Sequence, residues 1–220
     1  MHLVIISGAA RSKAKSNTAK IIDAFREGYE EKGNTTETWY LSDRSQWAEA
    51  ADAFERNENI LIAFPLYVEN IPGILLEFLS GLQPKKQPGT KLAFLQQGGF
   101  PEGCQGRCCE KYLEMLPAQL GCSYGGTLLK GDMFGIGLMN GEERKKILFS
   151  FTEMGRYYAE TEYFHKTVAD RFAAPEHMPK SQIIVYHLLF KYISRFFMDS
   201  IAKKLGCKGK LDDAPYEDCV

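Results

Sequence analysis

Leu3-Val-Ile-Ile-Ser7 runs straight into Gly8-Ala-Ala-Arg-Ser-Lys-Ala-Lys-Ser-Asn-Thr18, and this passage from an apolar run to a small, cationic loop decides how the rest is read. The run Leu3–Ser7 predicts a strand. Being apolar on both faces, it belongs in the middle of a parallel sheet covered by helices on both sides. From Ser16 the spacing predicts a helix to about Lys32, with Ile21, Ile22, Phe25 and Tyr29 on one stripe and Gly33 ending it.

Working outward, the same alternation repeats. Thr36–Leu41 reads as a second strand, and a helix follows from about Ser45 to Arg56. Asn59–Pro65 is a third strand, and Pro72 opens a helix carrying Ile74, Leu75, Phe78, Leu79 and Leu82 at helical spacing. A turn-rich stretch, Gln83 to Gly89, leads into a fourth strand at Lys91–Gln96, a helix at about Arg107–Leu120, a fifth strand at Tyr124–Lys130, and one long helix from Gly141 to about Phe164. The expected class is therefore α/β: a doubly wound, five-stranded parallel sheet with helices on both faces over residues 1–172. Residues 173–220 form an extension, in which Pro175 and Pro179 precede an apolar helix from about Ser181 to Leu205.

Composition excludes several functions. With 220 residues, 45% apolar and 12% aromatic, the chain supports one full core plus an appendage. Lys plus Arg number 27 against 28 Asp plus Glu, so no basic field exists to neutralise nucleic-acid phosphates. No charged lead and cleavage site precede the first apolar run, which predicts a cytoplasmic protein. Six cysteines are too few for a disulfide framework in a chain this long, so reduced thiols are expected. Cys104, Cys108 and Cys109 lack the CxxC spacing of cluster ligands; on a helix, Cys108, Cys109, Tyr112, Leu113 and Leu116 would line one buried face. The histidines at 2, 165, 177 and 187 show no ligand spacing, and no metal site is expected.

In an open parallel sheet, ligands bind beyond the carboxyl ends of the strands, where the strand order reverses. Three loops carry the informative residues. After the first strand, Ser7, Arg11, Ser16, Asn17 and Thr18 surround a helix start whose unpartnered N–H groups suit a phosphate; an ordinary helix capped by Ser16 fits the same residues. After the third strand come Pro65, Leu66, Tyr67, Val68, Asn70 and Ile71, with apolar faces and backbone groups suited to a flat ring. The other reading makes Tyr67 a core residue and Pro72 a helix start. After the fourth strand, Gln97, Gly98 and Gly99 allow close backbone approach and hydrogen bonding to a ring edge, although a plain turn uses similar residues.

The first loop resembles the G-S-x-R-x-x-S/G-N-T phosphate loop of flavodoxin-like NAD(P)H-dependent FMN reductases and quinone reductases: Gly8, Arg11, Asn17 and Thr18 match, and Ala9 replaces a serine. Pro65, Tyr67, Pro72 and Gly73 resemble that family's ring-binding segment, and Gln96-Gln-Gly-Gly99 its glycine loop. Leu76 and Ser80-Gly81 replace the family's lysine and Asp-Arg. The resemblance implies bound FMN, NADH or NADPH as hydride donor, a quinone, flavin or similar small molecule as acceptor, and a homodimer. The alternative is a flavodoxin-type electron carrier serving a protein partner. A net charge of −1 offers no acidic docking field for that role. A partner-binding module that has lost its cofactor is a third reading, which Ala9 favours and Arg11, Asn17 and Thr18 oppose.

The extension is apolar around most of its circumference: Ile183, Ile184, Val185, Tyr186, Leu188, Leu189, Phe190, Tyr192, Ile193, Phe196, Phe197, Met198 and Ile201. A stripe of His187, Lys191, Arg195 and Asp199 makes a membrane span costly. Packing on a second subunit, or folding back over the domain as a lid, is expected; lying on a membrane surface is the rival.

Overall fold

Strand alternation sorts the apolar side chains of the sheet into two cores. The computed structural model describes residues 1–86, 88–209, 212 and 213; Cys219, and the side chains of Phe190, Lys191, Tyr192 and Ile193, lie outside the described residues. Five strands, β1 (His2–Ser7), β2 (Thr35–Tyr40), β3 (Asn59–Pro65), β4 (Lys91–Gln97) and β5 (Ser123–Lys130), pair in parallel in the order β2-β1-β3-β4-β5. Leu3 and Ile5 face one side with Leu61, Ala63, Ala93 and Leu95, and Val4 and Ile6 face the other with Ile60, Ile62, Leu92 and Phe94.

Helices cover each face. α1 (Asn17–Glu30) and α5 (Gly141–Thr161) bury Ile21, Ile22, Phe25, Phe151 and Tyr158 on the first side. α2 (Trp47–Arg56), α3 (Gly73–Gly81) and α4 (Arg107–Gln119) bury Phe54, Leu75, Phe78, Leu113 and Leu116 on the second. Each such large side chain contributes roughly 1.5–3 kcal/mol relative to exposure. α1 and α5 approach so closely that a Cβ on Gly28 would lie 1.9 Å from the Thr152 carbonyl, and one on Gly155 2.0 Å from that of Phe25.

Two local expectations are corrected. The long helix stops at Thr161, because Glu162 turns left-handed (φ 52°) and donates its N–H to the Tyr158 carbonyl. A separate short helix, α6 (Lys166–Ala173), then packs against β5, tied by Lys130 Nζ donating to the Phe172 carbonyl at 2.8 Å. Phe164 anchors the reversal, its ring 4.7 Å from that of Tyr158. On α4, Cys109 is buried but Cys108 is exposed; the neighbouring buried place goes to Glu110, whose carboxylate receives Arg107 Nη1 at 2.6 Å.

The chain divides into two compact units, Met1–His177 and a second from Met178 onward. The second consists chiefly of α7 (Lys180–Lys204), with Ile184, Val185, Leu188, Phe196 and Phe197 all more than half exposed. Arg195 pairs with Asp212. Among the described residues no helix is long and apolar enough to cross a membrane.

Candidate active site

The strand order places the switch point between β1 and β3, with the β1, β3 and β4 loops at one carboxyl edge. Hydrogen bonds join these loops. Leu66 N–H donates to the Gln97 carbonyl at 2.7 Å, linking the second loop to the third. Gln97 Nε2 donates to Thr18 Oγ1 at 3.4 Å, linking the third to the first turn of α1.

Around the α1 start, Arg11, Ser12, Lys13 and Lys15 are exposed, and residues 13–15 form a short 3-10 turn. Ser16 is buried and caps α1 by accepting the Ala19 N–H at 3.2 Å. Its hydroxyl, like that of buried Thr18, keeps its own proton to donate. Asn17 is turned elsewhere. Its amide donates to the carbonyls of both Met133 and Phe134 at 3.0 Å, fixing the loop after β5 to the α1 start. Lys13 sits with Nζ 5.0 Å from the centre of the Tyr40 ring, and burial pushes the Tyr40 hydroxyl up to about 12.

The second loop is a tight reversal. Tyr67 and Asn70 exchange backbone hydrogen bonds of 3.0 and 3.1 Å, and the residues between them, Val68 and Glu69, both have positive φ (49° and 60°). That is the signature of a type I′ turn, which favours Asn-Gly. A β-branched valine there costs roughly 1–2 kcal/mol. The turn presents Tyr67, 46% exposed, and Val68, 98% exposed. Asn70 Oδ1 accepts the Ile71 N–H at 2.8 Å. Pro65 ends β3 in the interior and Ile71 belongs to the core beneath, with half-buried Leu66 packed against it.

The third loop leaves room. A Cβ on Gly98 would meet nothing nearer than the Phe100 carbonyl at 4.0 Å, and one on Gly99 would make an ordinary 3.6 Å contact with Phe134. Neither glycine has positive φ. Two buried polar atoms at the same edge, Ser7 Oγ on β1 and Gln96 Oε1 on β4, have no hydrogen-bond partner among the described residues. Such an atom costs roughly 1–3 kcal/mol until something satisfies it.

A fourth loop, after β5, was not legible as part of the site. Gly98 N–H donates to the Lys130 carbonyl, Met133 N–H to the Gly98 carbonyl and Asp132 N–H to the Phe100 carbonyl, at 2.8–2.9 Å. It contributes Phe134, 55% exposed, and Asp132 in left-handed backbone (φ 61°); Phe100, on the third loop, is 70% exposed. Burial raises the Asp132 carboxyl and lowers the Lys130 ammonium. The turn residues Gly131-Asp132 after the fifth strand were the available signal.

The donor set fits FMN. A cationic loop and helix start offer Arg11, Ser12, Ser16 and Thr18 to a phosphate, and the loop carrying the exposed Tyr67-Val68 turn is hydrogen-bonded through Leu66 to the loop on which Gly98 leaves open space. The orphaned Ser7 hydroxyl stands at the carboxyl end of β1, beside β3.

No protein-family model and no curated protein matches this chain. Solved structures do. An FMN-dependent NADH-azoreductase from Bacillus anthracis, determined in complex with FMN, is 15% identical over 72% of this chain and 99% of its own, with a TM-score of 0.53. The NAD(P)H:quinone oxidoreductase from Methanothermobacter marburgensis is 20% identical over 75% and 98%, at 0.54. An NADPH-quinone reductase from P. pentosaceus is 15% identical over 70% and 96%, at 0.51. With its order β2-β1-β3-β4-β5 and these structural likenesses, the chain has the flavodoxin-like fold.

Proposed function

We propose that this protein is an NAD(P)H-dependent FMN oxidoreductase that reduces a quinone, flavin or similar small acceptor. The observation that carries the reading is the convergence of the β1, β3 and β4 loops, hydrogen-bonded through Leu66, Gln97 and Thr18, on a site with open space at Gly98 and an orphaned serine hydroxyl. The names of the solved structures sharing the fold support it: two are quinone reductases, and one azoreductase was determined with FMN.

When bound, FMN supplies the redox chemistry, accepting a hydride from the nicotinamide and passing reducing equivalents on. This chain's residues bind and orient. Arg11, Ser12, Ser16 and Thr18 hold the phosphate, with charge-assisted and helix-start donors acting together. Asn17 positions the β5 loop and Gln97 holds Thr18, so both act through neighbours. Tyr67, Val68, Gly98 and Gly99 set the ring's seat, and Phe100 and Phe134 form an apolar rim that receives the acceptor and excludes water.

The same reading makes α7 the interface with a second copy, because its exposed apolar surface needs cover in water. It also places the protein in the cytoplasm, in keeping with five described cysteines that are all free. Truncation after Ala174 tests the interface: light scattering should change from dimer to monomer. Function is tested by titrating the apoprotein into FMN and following fluorescence, then assaying NADH and NADPH consumption with a quinone. Tight quenching and quinone-dependent turnover are expected. FMN fluorescence that stays unquenched, or turnover only with a protein acceptor, would replace the reading.

A further inference from the structure

At the far end of the third loop, just past Phe100, three side chains of different chemistry that the proposed flavin site does not use meet. A carboxylate oxygen of Glu102, Sγ of Cys104 and a ring nitrogen of His177 all lie within 4.8 Å of one another. Among the described residues no other group of His, Cys, Asp and Glu side chains converges in this way. Glu102 and Cys104 are partly buried, and His177 is exposed.

Two segments 73 residues apart in sequence supply these groups, and the backbone holds them together before any ion arrives. Gly103 N–H donates to the Pro175 carbonyl at 2.9 Å, and Cys104 N–H to the Glu176 carbonyl at 3.1 Å. Gly103 permits this approach, since a Cβ there would lie 3.2 Å from the Ala173 carbonyl. Arg107 adds a second tie. Its guanidinium donates to both Glu176 oxygens and pairs with Glu110 and Asp170. Glu176 is thereby committed to Arg107, and the neighbouring His177 and Cys104 are left facing one another.

We propose that Glu102, Cys104 and His177 form a binding site for a borderline divalent cation, Zn²⁺ in the first place, with water completing the coordination. One thiolate, one imidazole and one carboxylate make a donor set that suits zinc and disfavours calcium or magnesium, which take oxygen ligands. Zinc bonds of about 2.0–2.3 Å in a tetrahedron place ligand atoms about 3.3–3.8 Å apart, so rotamer adjustments of about 1 Å close the site. The ion would lock the 102–104 turn to the 174–177 segment. None of the three ligands is assigned to FMN, so the metal test stands or falls apart from the flavin reading.

The test uses the full chain, freed of metal by a chelator. Zn²⁺ alone is added in stoichiometric amount, thiols are alkylated briefly, and each cysteine is quantified by peptide mapping. Cys104 should be protected at least tenfold, while exposed Cys108 and Cys207 keep reacting and serve as internal controls. Co²⁺ in place of zinc should give a thiolate charge-transfer band that Cys104→Ser abolishes, His177→Ala weakens and Cys108→Ser leaves intact. Equal alkylation of Cys104 with and without Zn²⁺ overturns the proposal, whatever the variants do. So does a Co²⁺ band that survives in Cys104→Ser of native circular dichroism.

Discussion

Asn17 Nδ2 donates to the Met133 carbonyl at 3.0 Å across 116 residues of sequence, so the first residue of α1 holds the loop that follows the last strand. Replacing Asn17 with Ala leaves that carbonyl and the one on Phe134 without this donor. The expected cost is about 1 kcal/mol, or a melting temperature lower by about 2–4 °C. FMN affinity should fall about tenfold, equivalent to about 1.4 kcal/mol, because the β5 loop loses its anchor. Isothermal titration of both proteins decides it; an unchanged dissociation constant would show that the tether does not shape the site.

Gly98 separates folding from binding. Its Cβ position is open and its backbone is ordinary, so Gly98→Ala should leave the apoprotein's melting temperature within about 1 °C of the parent. The added methyl projects into the space assigned to the ring, and FMN affinity should drop at least tenfold. A variant that binds FMN normally would remove the third loop from the site.

The Val68-Glu69 turn holds two residues that are poorly suited to positive φ. Val68→Asn with Glu69→Gly installs the pair that a type I′ turn prefers, and stability should rise by about 1–2 kcal/mol, or about 2–8 °C in melting temperature. Loss of the exposed Val68 side chain should weaken FMN binding at the same time. Opposite signs for stability and affinity are the expected outcome of calorimetry and titration on one preparation. Gains in both would mean that the valine has no part in holding the ring.

Alkaline pH should destabilise the fold. Burial pushes the Cys109 thiol from 9.0 up to about 12 and the Cys122 thiol up to about 11. Well below pH 9 both thiols are protonated in either state and contribute no pH dependence. As pH rises from 9.0 toward 11, the unfolded chain releases these protons while the folded chain keeps them, so stability falls. Tyr29 and Tyr40, both raised to about 12, add to the slope above pH 10. Melting temperatures measured across this range should decline, and less steeply in a Cys109→Ala, Cys122→Ala double variant. Parallel slopes would contradict the assignment.

The sheet and its core helices were legible because the strands are apolar on both faces and the helices carry clear stripes; Leu3–Ser7 and Ile60–Phe64 read as strands without further help. α6 was not. It is only 8 residues long, and the stop before it falls on Glu162, a residue that carries no turn signal yet adopts left-handed backbone. The three loops could be placed at one edge from strand order alone. The duties of individual residues could not, because the partners of Asn17 and Gln97 lie 116 and 79 residues away. A comparable separation hid His177 from Cys104: ligands drawn from two segments leave no local spacing to read.

FMN-dependent reduction by a nicotinamide is tested by an absorption spectrum of the FMN-loaded protein under anaerobic conditions, before and after one equivalent of NADH or NADPH. One of the two nucleotides should bleach the visible flavin band, and a quinone should then restore it. A chain that emerges from gel filtration without FMN, or a band that neither nucleotide changes, would contradict the proposed function.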